Sequence, residues 1–211
     1  MRIHAVFGAA IVAASPLLAP APAPAQSRPM MGSADLRTAL NSTLAEHVYL
    51  AAAATGAALG GRQAEFGAAA GALDANSVAL SQAIGMVYGA DAEAAFLGLW
   101  RRHIGFVVDY TTGVAAKDRA KQDQAVTALL GYAEDFGAFL AGANPHLPKA
   151  AVADLVRSHI VTLKAVIDAQ AAGDQPGVYA RLREAGAHMR MIGDPLAAAI
   201  VQQFPQRFAG R

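Results

Sequence analysis

Breaks in this chain recur at intervals that leave room for long helices and little else. They fall at Gly60-Gly61, Tyr88-Gly89, Lys117-Asp118, Asn144-Pro145 through Pro148, and Gly173-Asp174. Glycine permits the backbone turns that end a helix, and proline removes the N–H that would continue one. The stretches between are dominated by alanine and leucine, with little β-branched alternation. Six helices are therefore expected, at about 34–59, 62–88, 91–116, 119–142, 149–172 and 176–202. Joined by short turns, they make an all-α, antiparallel six-helix bundle of three tandem hairpins, 34–89, 90–145 and 146–203, within a single domain, 34–203.

A shift of 56 residues brings parts of the chain into register with themselves. Leu99, Arg101 and His103-Ile104 fall on Leu155, Arg157 and His159-Ile160, and Ala115-Ala116 and Asp118 on Ala171-Ala172 and Asp174. The first copy is more diverged, yet His47 stands 56 residues before His103, and Ile84 corresponds to Leu140. A period of this length fits one helical hairpin per unit.

Within the helices the apolar residues alternate spacings of three and four, the pattern of helices packed by knobs into holes. The first carries Leu40, Leu44, His47, Ala51, Ala54 and Ala58; the third, Phe96, Trp100, His103, Val107, Tyr110 and Val114; the fifth, Val152, Leu155, His159, Leu163 and Val166. Each of these stripes contains one histidine, about 14 residues before the turn of its hairpin. Antiparallel helices rise equally, about 1.5 Å per residue. The residues facing the histidines across each turn are then Asn76, Tyr132 and His188, themselves spaced 56 apart and also on apolar stripes. Six helices are thus expected to give one polar side chain each to a single level of the core.

Buried polar groups without partners cost a few kcal/mol each, so such a layer must be satisfied internally, by water or by a ligand. Neutral imidazole is a common ligand for zinc, copper, nickel and iron. One reading makes His47, His103, His159 and His188 ligands of a transition metal, zinc or copper, or contacts of a small molecule. Asn76, Tyr132 and Asp135, one turn beyond Tyr132, would then orient the rings or the bound ligand. Met191, beside His188, offers a soft sulfur for copper. The other reading is a closed hydrogen-bond network of histidine, asparagine and tyrosine that fixes helix register and holds no metal. The chain lacks the H-x-x-x-H and E-x-x-H spacings of zinc proteases and diiron bundles. It also lacks a phosphate-cradling glycine loop, a serine nucleophile elbow and paired carboxylates suited to hydrolysis, so an enzyme is the less favoured reading. Glu46 and Asp109 point off the stripes towards solvent, and His146 sits in a loop.

Several of these elements resemble an uncharacterised family of bacterial all-helical proteins, some of them encoded by bacilli. The matching residues are Glu46-His47, Asn76, Ala83-Ile84, Tyr88-Gly89, His103-Ile104, Phe139-Leu140, Asn144-Pro145 and His159, then His188, Met191, Asp194, Ile200 and Gln203-Phe204-Pro205. The resemblance spans nearly all of the chain expected after signal cleavage and implies the fold and the position of the site, not an activity. Tyr132 departs from its pattern, which implies asparagine there.

The N-terminus bears on compartment. Arg2 and His4 precede a small-residue apolar run, Ala5 to Ala19, and Ala23-Pro24-Ala25 offers a signal-peptidase site. A signal peptide of residues 1–25 is expected, with cleavage before Gln26, a flexible segment 26–33, and a periplasmic or secreted location. A short tail, 204–211, is expected to follow the last helix. Cleavage removes Arg2 and leaves 186 of 211 residues, with 16 basic and 16 acidic side chains. That balance argues against nucleic acid as a partner. No later segment reads as a membrane span, and with no cysteine the fold has no disulfide and the site no thiolate. The expected partners are a metal ion or small ligand, or, on the structural reading, another protein of the cell envelope.

Overall fold

The computed structural model describes residues 32–208. Six long helices follow one another: α1 (Ser33–Leu59), α2 (Gln63–Tyr88), α3 (Ala90–Ala115), α4 (Arg119–Ala143), α5 (Lys149–Ala172) and α6 (Gln175–Gln203). Their ends lie within one residue of those expected. A seventh, α7 (Pro205–Phe208), occupies part of the stretch expected to be a tail. Phe204 and Phe208 pack against the core there, and the Arg207 guanidinium donates to the carbonyls of Met86 and Val87 at the end of α2. The last carbonyls of a helix have no partner within it, and a cation complements the negative end of its dipole. The proposed signal peptide and cleavage point lie outside the described residues. Of the segment expected to be flexible, Ser33 is the first residue of α1 and Gly32 precedes it as its cap, the Gly32 N–H donating to the Asp35 carboxylate at 3.1 Å.

The three hairpin turns are built alike. The left-handed residues are Gly61, Lys117 and Gly173, at φ of 68°, 56° and 70°. In each turn that residue's N–H bonds three residues back, to Ala58, Val114 or Gln170. The next N–H reaches five residues back, to Ala57, Gly113 or Ala169. These paired bonds satisfy carbonyls that the helix end would otherwise strand. In the second and third turns, Asp118 and Asp174 then cap the following helix, accepting from the N–H of Lys121 and Gly177.

Each helix packs on its neighbours in the chain, and α6 returns to pack on α1, so the six close into a ring. The odd helices α1, α3 and α5 also touch one another and form the centre, while α2, α4 and α6 lie outside them. Small residues set the closest approaches. On α1, Ala51, Ala54 and Ala57 are buried. On α4, a Cβ at Gly137 would stand 2.6 Å from the Lys149 carbonyl oxygen, so glycine is needed where α5 begins. The main core runs from Leu36 and Leu40 through Phe96, Trp100 and Phe136 to Met189 and Ile200. Among the described residues no helix is long and apolar enough to cross a membrane.

Candidate functional site: a buried histidine layer

The inner triangle of helices brings three of the four sequence-predicted histidines together. His47 on α1, His103 on α3 and His159 on α5 are 1%, 3% and 6% exposed. The rings of His103 and His159 lie 5.3 and 5.8 Å from that of His47. The Nε2 atoms of His47 and His103 stand 3.4 Å apart, at the long limit for a hydrogen bond whose usual length is about 2.9–3.0 Å. Trp100, one turn before His103 on α3, fills the space beside both, its ring centroid 4.9 Å from His47 and 4.7 Å from His103. Tyr132 stacks on the other side of His103 at 4.7 Å and 22°.

The outer positions are occupied differently. His188 on α6 is only partly buried, and its Nε2 donates to the Leu155 carbonyl of α5 at 2.9 Å. Asn76 on α2 turns its amide to α1, donating to the Thr43 carbonyl at 2.9 Å and the Glu46 carboxylate at 2.7 Å. These two therefore have protein partners of their own. Asp135 lies at the surface, 3.8 Å from Arg102, and does not enter the layer. Tyr132 points into the core, and Phe136, four residues on, takes the buried position one turn later, which leaves Asp135 at the edge of the stripe. Met191 is 57% exposed, whereas its neighbour Met189 is in the core at 1%, so the sulfur near this level is not the one expected. His146 is exposed, as is Asp109, which faces Lys121.

Burial controls the charge of the layer. Loss of solvation pushes His47 well below the ordinary 6.5, and His103 and His159 add to the effect. His103 is pushed down to about 3 by burial and by His159. His159 is pushed down to about 4 by burial and by His188. All three rings are neutral near pH 7, each with one N–H and one lone pair. Burial also raises the Tyr132 hydroxyl well above its ordinary value, so it too stays protonated.

Their hydrogen bonding is incomplete. Nδ1 of His47, of His103 and of His159, the Trp100 indole nitrogen and the Asn76 amide oxygen are all buried without a partner. Each such atom costs about 1–3 kcal/mol, and native cores hold few of them. Two small cavities adjoin the layer. One, of about 20 Å³, lies among α3, α4 and α5; the other, of about 30 Å³, lies on the far side, against Leu44, Trp100 and Met189. His103, Tyr132 and His159 line both, and each is large enough for about one water. Among the described residues, no three His, Asp or Glu side chains already converge as a metal site.

Two contributors were not singled out from the sequence. Trp100 was legible only as a core aromatic, although an indole N–H on an apolar stripe is itself a demand for a partner. Glu46 is exposed, as expected, and its link to Asn76 depends on the angle between α1 and α2.

The chain matches no protein-family model, no curated protein and no solved structure. Fold and site define it by themselves as an all-α bundle closed into a ring around a cluster of buried, neutral, under-bonded imidazoles.

Proposed function

We propose that this protein binds a transition-metal ion, zinc or copper, or a small ligand in its place, through the histidine layer, in the periplasm or outside the cell. The observation that carries the reading is the 3.4 Å between Nε2 of His47 and Nε2 of His103. Two nitrogens bound at 2.0–2.1 Å to one tetrahedral metal stand about 3.4 Å apart. Two nitrogens sharing a proton prefer to be about half an ångström closer. Both rings are neutral, as metal binding requires. His159, whose ring is 5.8 Å from that of His47, is the third candidate ligand and would reach the same point by turning its ring. With Nε2 atoms on the metal, the Nδ1 protons of His103 and His159 would be taken by water in the adjoining cavities. On this reading the three hairpins are copies of one unit, supported by their like turns, each supplying one inner histidine.

The second reading is a register-fixing polar network with no metal. The closed bonds of His188 and Asn76 favour it. The two are separated by Trp100, the sole tryptophan, which lies against both candidate ligands. Copper(II) bound between His47 and His103 should quench its fluorescence, saturably, at about one equivalent. His103→Ala should abolish the quenching and His146→Ala leave it intact. Absence of saturable quenching, or equal loss in both variants, would sink the metal reading.

A further inference from the structure

The cavity among α3, α4 and α5 extends away from the histidine layer. Beyond His103, Tyr132 and His159 its walls are apolar, from Val107, Val126 and Leu163 among others, until it meets Tyr110 and Lys164. Tyr110 is two turns past His103 on α3, about 10 Å along the axis. The Lys164 side chain is 37% exposed, so this end of the cavity meets solvent. Two polar residues, Tyr110 and Lys164, line that end, and both bond to Asp168 outside its walls. The Tyr110 hydroxyl donates to one oxygen of Asp168 at 2.6 Å, and the Lys164 ammonium donates to the other at 2.6 Å. Lys164 also lies over the Tyr110 ring, 5.1 Å from its centroid. The cavity on the other side of the layer has no comparable polar end; its walls are aliphatic and aromatic apart from the layer itself.

We propose that this face is the port through which the occupant of the layer enters and leaves, with Tyr110, Asp168 and Lys164 as its latch. The inference rests on the layer being a binding site. His103 and His159 line the inner end of this cavity, and its outer end is held by the ion pair of Lys164 and Asp168, both partly exposed. Asp168 at the mouth is a carboxylate already shared between two donors, so an arriving divalent cation finds an anionic first contact once Lys164 swings away. A latch that closes alike over the empty and the occupied layer governs rates and leaves affinity alone, because opening precedes both entry and exit.

The test is stopped-flow quenching of Trp100 by copper(II), run with Tyr110→Phe, Lys164→Met and Val126→Phe. Tyr110→Phe keeps the ring and removes the bond to Asp168, and Lys164→Met is a surface change, so at least one opened variant remains folded. Association and dissociation should both accelerate about tenfold in these two, the scale of one hydrogen bond to a charged group, with the dissociation constant unchanged. Val126→Phe narrows the passage and should slow both. Saturable quenching with unaltered rates in all three would overturn the port and leave the layer standing. No quenching of the unaltered protein would overturn the layer, and the port with it.

Discussion

Burying His47, His103 and His159 against one another makes their protonation a cost that the fold bears. Below the ordinary value of 6.5 the unfolded chain takes up protons that the folded chain refuses, down to about 3 at His103 and about 4 at His159. Their contribution to stability is therefore fully present above pH 6.5 and is lost as the pH falls through that window. Each histidine adds a slope of about 1.4 kcal/mol per pH unit there. Thermal melts should show the midpoint dropping between pH 6.5 and pH 4.5, and dropping less in His159→Gln. A midpoint flat over that range would contradict the burial of the layer. A second substitution asks whether the layer serves stability at all. His103→Leu replaces an imidazole whose Nδ1 has no partner by an apolar group of similar size. Urea unfolding without metal should find the variant as stable as the parent or about 1 kcal/mol more so. A loss of about 2 kcal/mol or more would mark the histidines as the structural network instead.

At the scale of elements, the hairpin turns and the α4–α5 contact can be tested separately. Lys117 holds the left-handed conformation that glycine holds in the other two turns, at φ 56°. A side chain there costs about 1 kcal/mol, so Lys117→Gly should raise stability by up to that amount in urea unfolding. Gly137→Ala should lower it by about 1–3 kcal/mol, because the new methyl would meet the Lys149 carbonyl oxygen at 2.6 Å. Helix ends were readable because glycine, proline and aspartate mark them for local backbone reasons. The inner three histidines were readable because stripe periodicity and the 56-residue spacing acted together. The outer positions were less so. Counting residues across a turn places Asn76, Tyr132 and His188 at the right height, but which way each points depends on helix rotation. Asn76 turns to α1, His188 bonds the α5 backbone, and Asp135 leaves the core entirely. The latch of Tyr110, Asp168 and Lys164 joins residues 58 apart on α3 and α5 and follows from the closing of the ring.

For the whole molecule, the ring matters because no single hairpin can form the site. His47, His103 and His159 come from three successive hairpins, and they meet where α1, α3 and α5 touch at the centre of the ring. An ion held among them ties all three hairpins together, so binding should stabilise the entire domain in one transition. Zinc at a hundred times its dissociation constant would add about 2.7 kcal/mol. The most direct measurement is the metal content of the protein purified without chelators and without a histidine tag, alongside His103→Leu. The parent should carry about one equivalent of zinc or copper, absent from the variant, with a matching rise in melting temperature on adding the metal to the parent alone. A parent that retains no metal and does not shift its melting temperature with either ion would contradict the metal reading.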